Sequence, residues 1–334
     1  MPKVFLLLSL IALFVCCHRN PLKVDVSKIE LNLTIKRLDQ DIFAVTPGNS
    51  TQMITQLKQS YGTFFDAYTK NVIAIGEPSD PMFPDYLNSF LTDSMRIISR
   101  KQIDSVFTDL SQIKQKIEEG FKHFSYYFPQ KKIPRLITIN SGFNQSIVLT
   151  SDAIGISLDN YLGSDCRFYK RLGIAAYKRE LMTKSKIPTD VLYAWGVSEF
   201  EYAETNNSLI SQMIYQGKMF YFLEAMFPQE PEESIIGYLP EKLDWCKKNE
   251  SQMWTYLIEH KLIFSSERMN SVRLLNPAPF TSIFSPDSPG RTGIWIGWQI
   301  VRSYMAKHPN ITLPMLMADA DYQKILNESG YSPE

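Results

Sequence analysis

Strand-like patterning in this chain is confined to its first half, and everything beyond Asp165 patterns as helix. Ile29, Leu31, Leu33 and Ile35 alternate with Glu30, Asn32, Thr34 and Lys36, the period of two that marks a half-buried strand. Helical stretches follow at 51–68 and 84–96. In a third, Ile103, Val106, Phe107, Leu110, Ile113, Ile117, Phe121 and Phe124 hold one face until Phe128-Pro129 ends it. Three more strands are expected at 136–139, 146–149 and 153–158, and then helices at 189–204, 208–226, 240–261, 291–307 and 312–327. Few strands, grouped early, exclude an alternating βα architecture. They predict an α+β fold, mainly helical with a small early sheet. With no internal repeat and no long linker, one domain is expected over 27–334, after a tether over 17–26.

The start of the chain reads as an address. Met1-Pro2-Lys3 is a short basic beginning, and residues 4–15 are apolar except for Ser9. Such a run spans about 18 Å as helix, short of the roughly 30 Å of a bilayer core, so it reads as the apolar part of a signal peptide over 1–16. It ends in Phe14-Val15-Cys16-Cys17, the form of a bacterial lipobox. The small residue wanted before the lipidated cysteine selects Cys17, with Cys16 as the alternative. His18-Arg19-Asn20 lacks the aspartate of an inner-membrane retention signal, and no acidic cluster follows that would direct surface export. The expected location is therefore the outer membrane, lipid-anchored and facing the periplasm. In that oxidising compartment Cys166 and Cys246 are expected to form a disulfide.

The 334 residues are 44% hydrophobic, enough for a substantial core, and 35 basic side chains balance 35 acidic ones. That balance excludes a nucleic-acid partner or a polybasic membrane patch as the main business of the chain. His18, His123, His260 and His308 are too scattered for His-Glu-x-x-His. There is also no P-loop, no Gly-x-Ser-x-Gly and no Gly-x-Gly-x-x-Gly. No cofactor and no metal are expected. Two segments are unusual for plain scaffold. Gln216, Gly217 and Lys218 sit inside an apolar helix, where a glycine costs about 1 kcal/mol relative to alanine. Pro289-Gly290-Arg291-Thr292-Gly293 opens another helix, with Gly293 and Gly297 one turn apart. Close packing against a neighbouring helix explains the glycines, and Trp295 and Trp298 belong to a core helix first.

Laid out in order, these residues resemble the gliding-motility lipoprotein B family (GldB) of Bacteroidetes. The carriers are Ile35-Lys36-Arg37-Leu38-Asp39, Ile156-Ser157-Leu158-Asp159-Asn160-Tyr161-Leu162-Gly163 and Met213-Ile214-Tyr215-Gln216-Gly217-Lys218. They continue in Trp245-Cys246-Lys247-Lys248-Asn249-Glu250 and in the run from Pro289 to Trp298. The resemblance implies a non-enzymatic component of gliding motility or type IX protein secretion, with partners in that machinery.

The second half is also similar to predicted zincin-like zinc proteases, which carry His-Glu-x-x-His on one helix and Glu-Gly on the next. Here Ser198-Glu199-Phe200-Glu201-Tyr202 stands near the first motif and Gln216-Gly217 at the second. Serine, tyrosine and a neutral amide are poor zinc ligands, so this likeness implies a degenerate scaffold that has lost its chemistry. The alternative is a zinc-dependent peptidase with atypical ligands. A degenerate groove would still bind an extended peptide as an added strand beside 153–158. Its candidate residues are Ile156, Glu199, Gln216, Lys218 and Arg291, the last holding an anion at a helix start.

Overall fold

In the computed structural model, which describes residues 20–203 and 207–334, four short strands form one mixed sheet. They are β1 (Ile35–Arg37), β2 (Arg135–Ile139), β3 (Ile147–Leu149) and β4 (Ala153–Ser157), in the spatial order β1-β2-β4-β3. β1, β2 and β4 run parallel, and β3 returns antiparallel along β4. Ile137 and Ile139 face one hydrophobic cluster, while Leu136, Ile154 and Ile156 face another, larger one. Such a sheet is covered on both faces, which is why every residue of β4 is buried.

The smaller cluster takes its helices from the first hundred residues: α1 (Ser50–Tyr61) and α2 (Phe83–Thr92), with Phe64, Phe65 and Tyr68 between them. On the other face pack α3 (Ser94–Val106), α4 (Ser111–Tyr127), α5 (Ile187–Glu199) and α6 (Leu209–Met226). α7 (Pro240–Lys248), α8 (Glu250–Glu259), α9 (Arg268–Leu275) and α10 (Thr292–Lys307) follow, and α11 (Leu313–Ala318) and α12 (Tyr322–Ser329) close the chain. The mainly helical character and the small early sheet are as expected.

Several boundaries differ from the sequence reading, each for a local reason. The strand over 29–36 forms only at its end. Upstream the chain runs along α4, where the Leu33 amide donates to Glu118 Oε2 at 3.2 Å rather than to a ladder partner. Leu22 is already buried, within the stretch expected to be tether. The apolar face from 103 to 124 is shared by two helices. Asp109 accepts the Ser111 amide at 2.9 Å and turns the chain between α3 and α4. The signal peptide, Cys16 and Cys17 lie outside the described residues.

The expected disulfide is not formed. Cys166 and Cys246 are both buried free thiols. Cys166 faces α3, with Gln102 Nε2 at 3.6 Å, while Cys246 lies in α7 with its thiol pushed up by burial. They are separate core positions on different elements.

The motifs that carried the family resemblance are largely structural fasteners. Buried Asp39 receives Arg37 Nη2 at 2.7 Å and Thr138 Oγ1, tying β1 to β2. Asp159, also buried, accepts the Ser141 amide at 3.0 Å and fixes the loop after β2. Glu250 accepts from the Tyr331 hydroxyl at 2.7 Å, holding the end of the chain.

Candidate functional site

A cleft of about 650 Å³ opens between α5, α6, the segment around Ile235 and the start of α10. Its position follows from how closely α6 and α10 pack. A Cβ on Gly217 would stand 2.2 Å from Gly297 O, and one on Gly297 would stand 1.9 Å from Met213 O. Backbone therefore meets backbone along this seam, which is the packing role expected of these glycines. Trp295 and Trp298 are buried beside it as core. With the seam occupied by Gly217 and Met213, the neighbouring Gln216 turns toward α5 and lines the cleft.

α5 supplies the opposing wall. Pro188 sits in its first turn, where a missing N–H costs nothing, and Ile187, Val191, Leu192 and Trp195 bury one side. The other side presents Thr189, Asp190 and Tyr193 to the cleft. Tyr193 donates its hydroxyl hydrogen to Gln216 Oε1 at 2.7 Å. Asp190 Oδ2 accepts from the Tyr161 hydroxyl at 2.9 Å, and Lys186 Nζ lies 4.0 Å from Oδ1. About a third of the Asp190 side chain, 36%, remains exposed. Burial raises its pKa above the ordinary aspartate value, opposed by Lys186 and by the Tyr161 hydrogen bond. The same burial lowers Lys186, opposed by Asp190.

Arg291 closes the cleft at the start of α10. Its backbone is left-handed, with φ of 63°, a conformation that strains any residue bearing a Cβ. One guanidinium nitrogen donates to Ile236 O at 2.9 Å, and the group lies 5.6 Å from the Tyr238 ring centre. No carboxylate stands within 4.0 Å of it among the described residues.

The five groove residues expected from sequence separate into two sets. Gln216 and Arg291 line the cleft. Lys218 is buried behind it, donating to Asp319 O at 2.6 Å and Met317 O at 3.2 Å, where it caps α11. Glu199 ends α5 in an ion pair with Lys131 at 2.6 Å, off the cleft. Ile156 is in the interior strand β4, paired with both Thr138 and Ile147, so 153–158 offers no edge. A Cβ on Gly155 would meet Phe64 Cζ at 2.5 Å, so its missing side chain makes room for that ring and not for another backbone.

The outer strands of the sheet are β1 and β3, and β3 is the one beside 153–158. The Ser157 amide donates to Ser146 O and the Thr150 amide to Ala153 O, each within 3.0 Å. Alternation then turns the backbone groups of Ile147 and Leu149 away from β4.

Sequence reasoning missed Asp190 and Tyr193. The signal was available, because Thr189, Asp190 and Tyr193 have the i, i+1, i+4 spacing sought at Ser198, Glu199 and Tyr202. Ser198 donates to Trp195 O at 2.8 Å, and Tyr202 packs against Tyr215 and Tyr322 at the cleft mouth. The contact with Gln216 comes from Tyr193.

A family model described as gliding motility protein GldB matches residues 19–333. The chain belongs to the GldB family. Membership implies involvement in gliding motility, and the family's label marks its members as lipoproteins. Among the described residues of this GldB protein no helix is long and apolar enough to cross a membrane, and no three His, Cys, Asp or Glu side chains group as a metal site. No curated protein and no solved structure matches the chain, so the likeness to zinc peptidases rests on the residues alone.

Proposed function

We propose that this GldB protein is held by acyl chains on Cys17 at the periplasmic face of the outer membrane. There it serves gliding motility or type IX secretion by binding an extended peptide without cleaving it. The peptide adds to the outer side of β3 and directs one side chain or its end into the cleft. The observation that carries this reading is the Tyr193–Gln216 contact. Phenol and amide meet in a walled, partly apolar cleft with convergent polar groups and no strong metal donor set, and on this reading they stand in for a peptidase's imidazole and carboxylate. Main-chain pairing along β3 requires no metal, so recognition survives the loss of such ligands.

Binding of fluorescein-labelled, unstructured peptides to the purified protein tests the reading, with each peptide's mass checked after incubation. Leu149→Pro removes one outward N–H at an exposed edge position, where proline is tolerated, and Arg291→Ala removes one of the two cations of the cleft, leaving Lys186. Intact peptides and an affinity loss of about tenfold in either variant, near 1.4 kcal/mol, are expected. Cleaved peptide, or binding indifferent to both changes, overturns it.

A further inference from the structure

The N-terminal arm limits how the folded part can stand relative to its anchor. Leu22 is buried against the end of α4, and its carbonyl accepts from the Tyr127 hydroxyl at 3.3 Å. From there the arm follows α4 back toward Leu33 and Glu118. Between Cys17 and Leu22 lie only five residue steps, a reach of at most about 18 Å even when fully extended. Acyl chains on Cys17 therefore hold a membrane surface close to the C-terminal end of α4.

That end of the molecule has the surface such a position asks for. Tyr126 is 49% exposed, with its ring edge against Tyr127 at 5.1 Å. Pro21 and Lys23 on either side of Leu22 are exposed, as are Pro129, Gln130 and Lys132 after the helix end and the one carboxylate of this stretch of the arm, Asp25. Tyrosine with flanking lysines is the side-chain chemistry of a headgroup layer, since the ring takes the apolar side and the ammonium groups reach lipid phosphates.

We propose that the C-terminal end of α4 rests on the leaflet that carries the anchor, with Tyr126, Lys23 and Lys132 at headgroup level. The proposal rests on the reading of Cys17 as the lipidated residue. It also sets the posture of the cleft. Gly120 packs on Leu192 and Phe128 on Phe200, equal spacings that make α4 and α5 run side by side in the same direction. Asp190 lies ten residues before Phe200, about 15 Å back along the helix axis, so the polar floor of the cleft is held away from the headgroups.

The test uses the mature lipidated protein with one cysteine introduced at Tyr126, Lys132 or Tyr86 and labelled with a small fluorophore. Cys166 and Cys246 are buried and do not compete for label in the folded protein. Tyr86 serves as the distal site. It shares a surface hollow with Arg96, which lies against Gly142 beyond the C-terminal end of β2, whereas α4 leads into the N-terminal end. The protein is placed in vesicles of phosphatidylethanolamine and phosphatidylglycerol that contain bromine-labelled lipid. Loss of fluorescence is expected at 126 and 132 and not at 86. Mass spectrometry of the same samples reads the acyl chains on Cys17. Acylated protein quenched at 86, or equally at all three sites, overturns the orientation while the anchor stands. A chain without acyl groups overturns the anchor, and the orientation with it.

Discussion

The carbonyl oxygen of Gly297 lies where a side chain on Gly217 would have to begin, 2.2 Å from the ideal Cβ position. This seam joins the two longest buried helices of the second half and sets the width of the cleft beside Gln216.

Gly217→Ala and Gly297→Ala should each destabilise the protein by about 1–3 kcal/mol or prevent folding, because backbone cannot rotate out of the way as a side chain can. The opposing gain in helix propensity, about 1 kcal/mol, is too small to offset the clash. Gly48 has nothing within 4 Å, so Gly48→Ala is the control and should change stability little. Urea unfolding of the three variants measures this, and a fully stable Gly217→Ala protein contradicts the close approach.

Cys166 and Cys246 should titrate as two free thiols in denatured protein made without reductant, and reductant should leave the melting temperature unchanged. Slow labelling in the folded state and prompt labelling after unfolding are expected from their burial. An oxidised pair recovered from periplasmic expression would refute this.

What was legible in the sequence is what local pattern records. Strands β2, β3 and β4, helices α6 and α10, and the packing role of Gly217 and Gly297 follow from periodicity and from glycine at helical spacing. Strand order was not legible. Nothing in 153–158 says that β3 folds back antiparallel and takes the edge, leaving Ile156 inside. Nor did composition separate Lys218 from Gln216. They lie two positions apart on one helix, so they face different neighbours, one the carbonyls ending α11 and the other Tyr193. Oxidising location argues for a disulfide only when two cysteines meet, and proximity is a tertiary fact.

Lys218 predicts a pH dependence with a defined sign. Burial lowers its pKa from the ordinary 10.5 to about 8, opposed by Asp319. Between these values the unfolded chain binds the proton more readily than the folded one, so this group's contribution to stability rises with pH across that window. The gap corresponds to about 3 kcal/mol. Because several buried tyrosines act in the opposite sense above about pH 10, the measurement is the difference between wild type and Lys218→Met. Wild type should gain on the variant from pH 8 to 10 in urea titrations. A difference that is flat or falling over that range shows that Lys218 holds its proton as an exposed lysine does.

The proposal that α5 stands where a peptidase has its metal-binding helix can be tried by restoring ligands. Thr189 and Tyr193 are four apart on one helix face and both line the cleft, where the Tyr193 hydroxyl reaches Gln216 and the Thr189 hydroxyl donates back to Lys186 O at 3.0 Å. Thr189→His, Tyr193→His and Gln216→Glu together supply two imidazoles and a carboxylate, the donor set of an open zinc site with bonds near 2.0–2.2 Å. This variant should retain one equivalent of zinc through dialysis, and zinc should raise its melting temperature. The parallel set built on the other register, Ser198→His, Tyr202→His and Gln216→Glu, should retain none. Ser198 does not line the cleft, and Tyr202 lies beyond the end of the helix. Elemental analysis of both variants decides between them. Zinc held by the second set and not the first restores the register at Ser198 and Tyr202. Zinc held by neither removes the ground for treating this cleft as a peptidase site that has lost its metal.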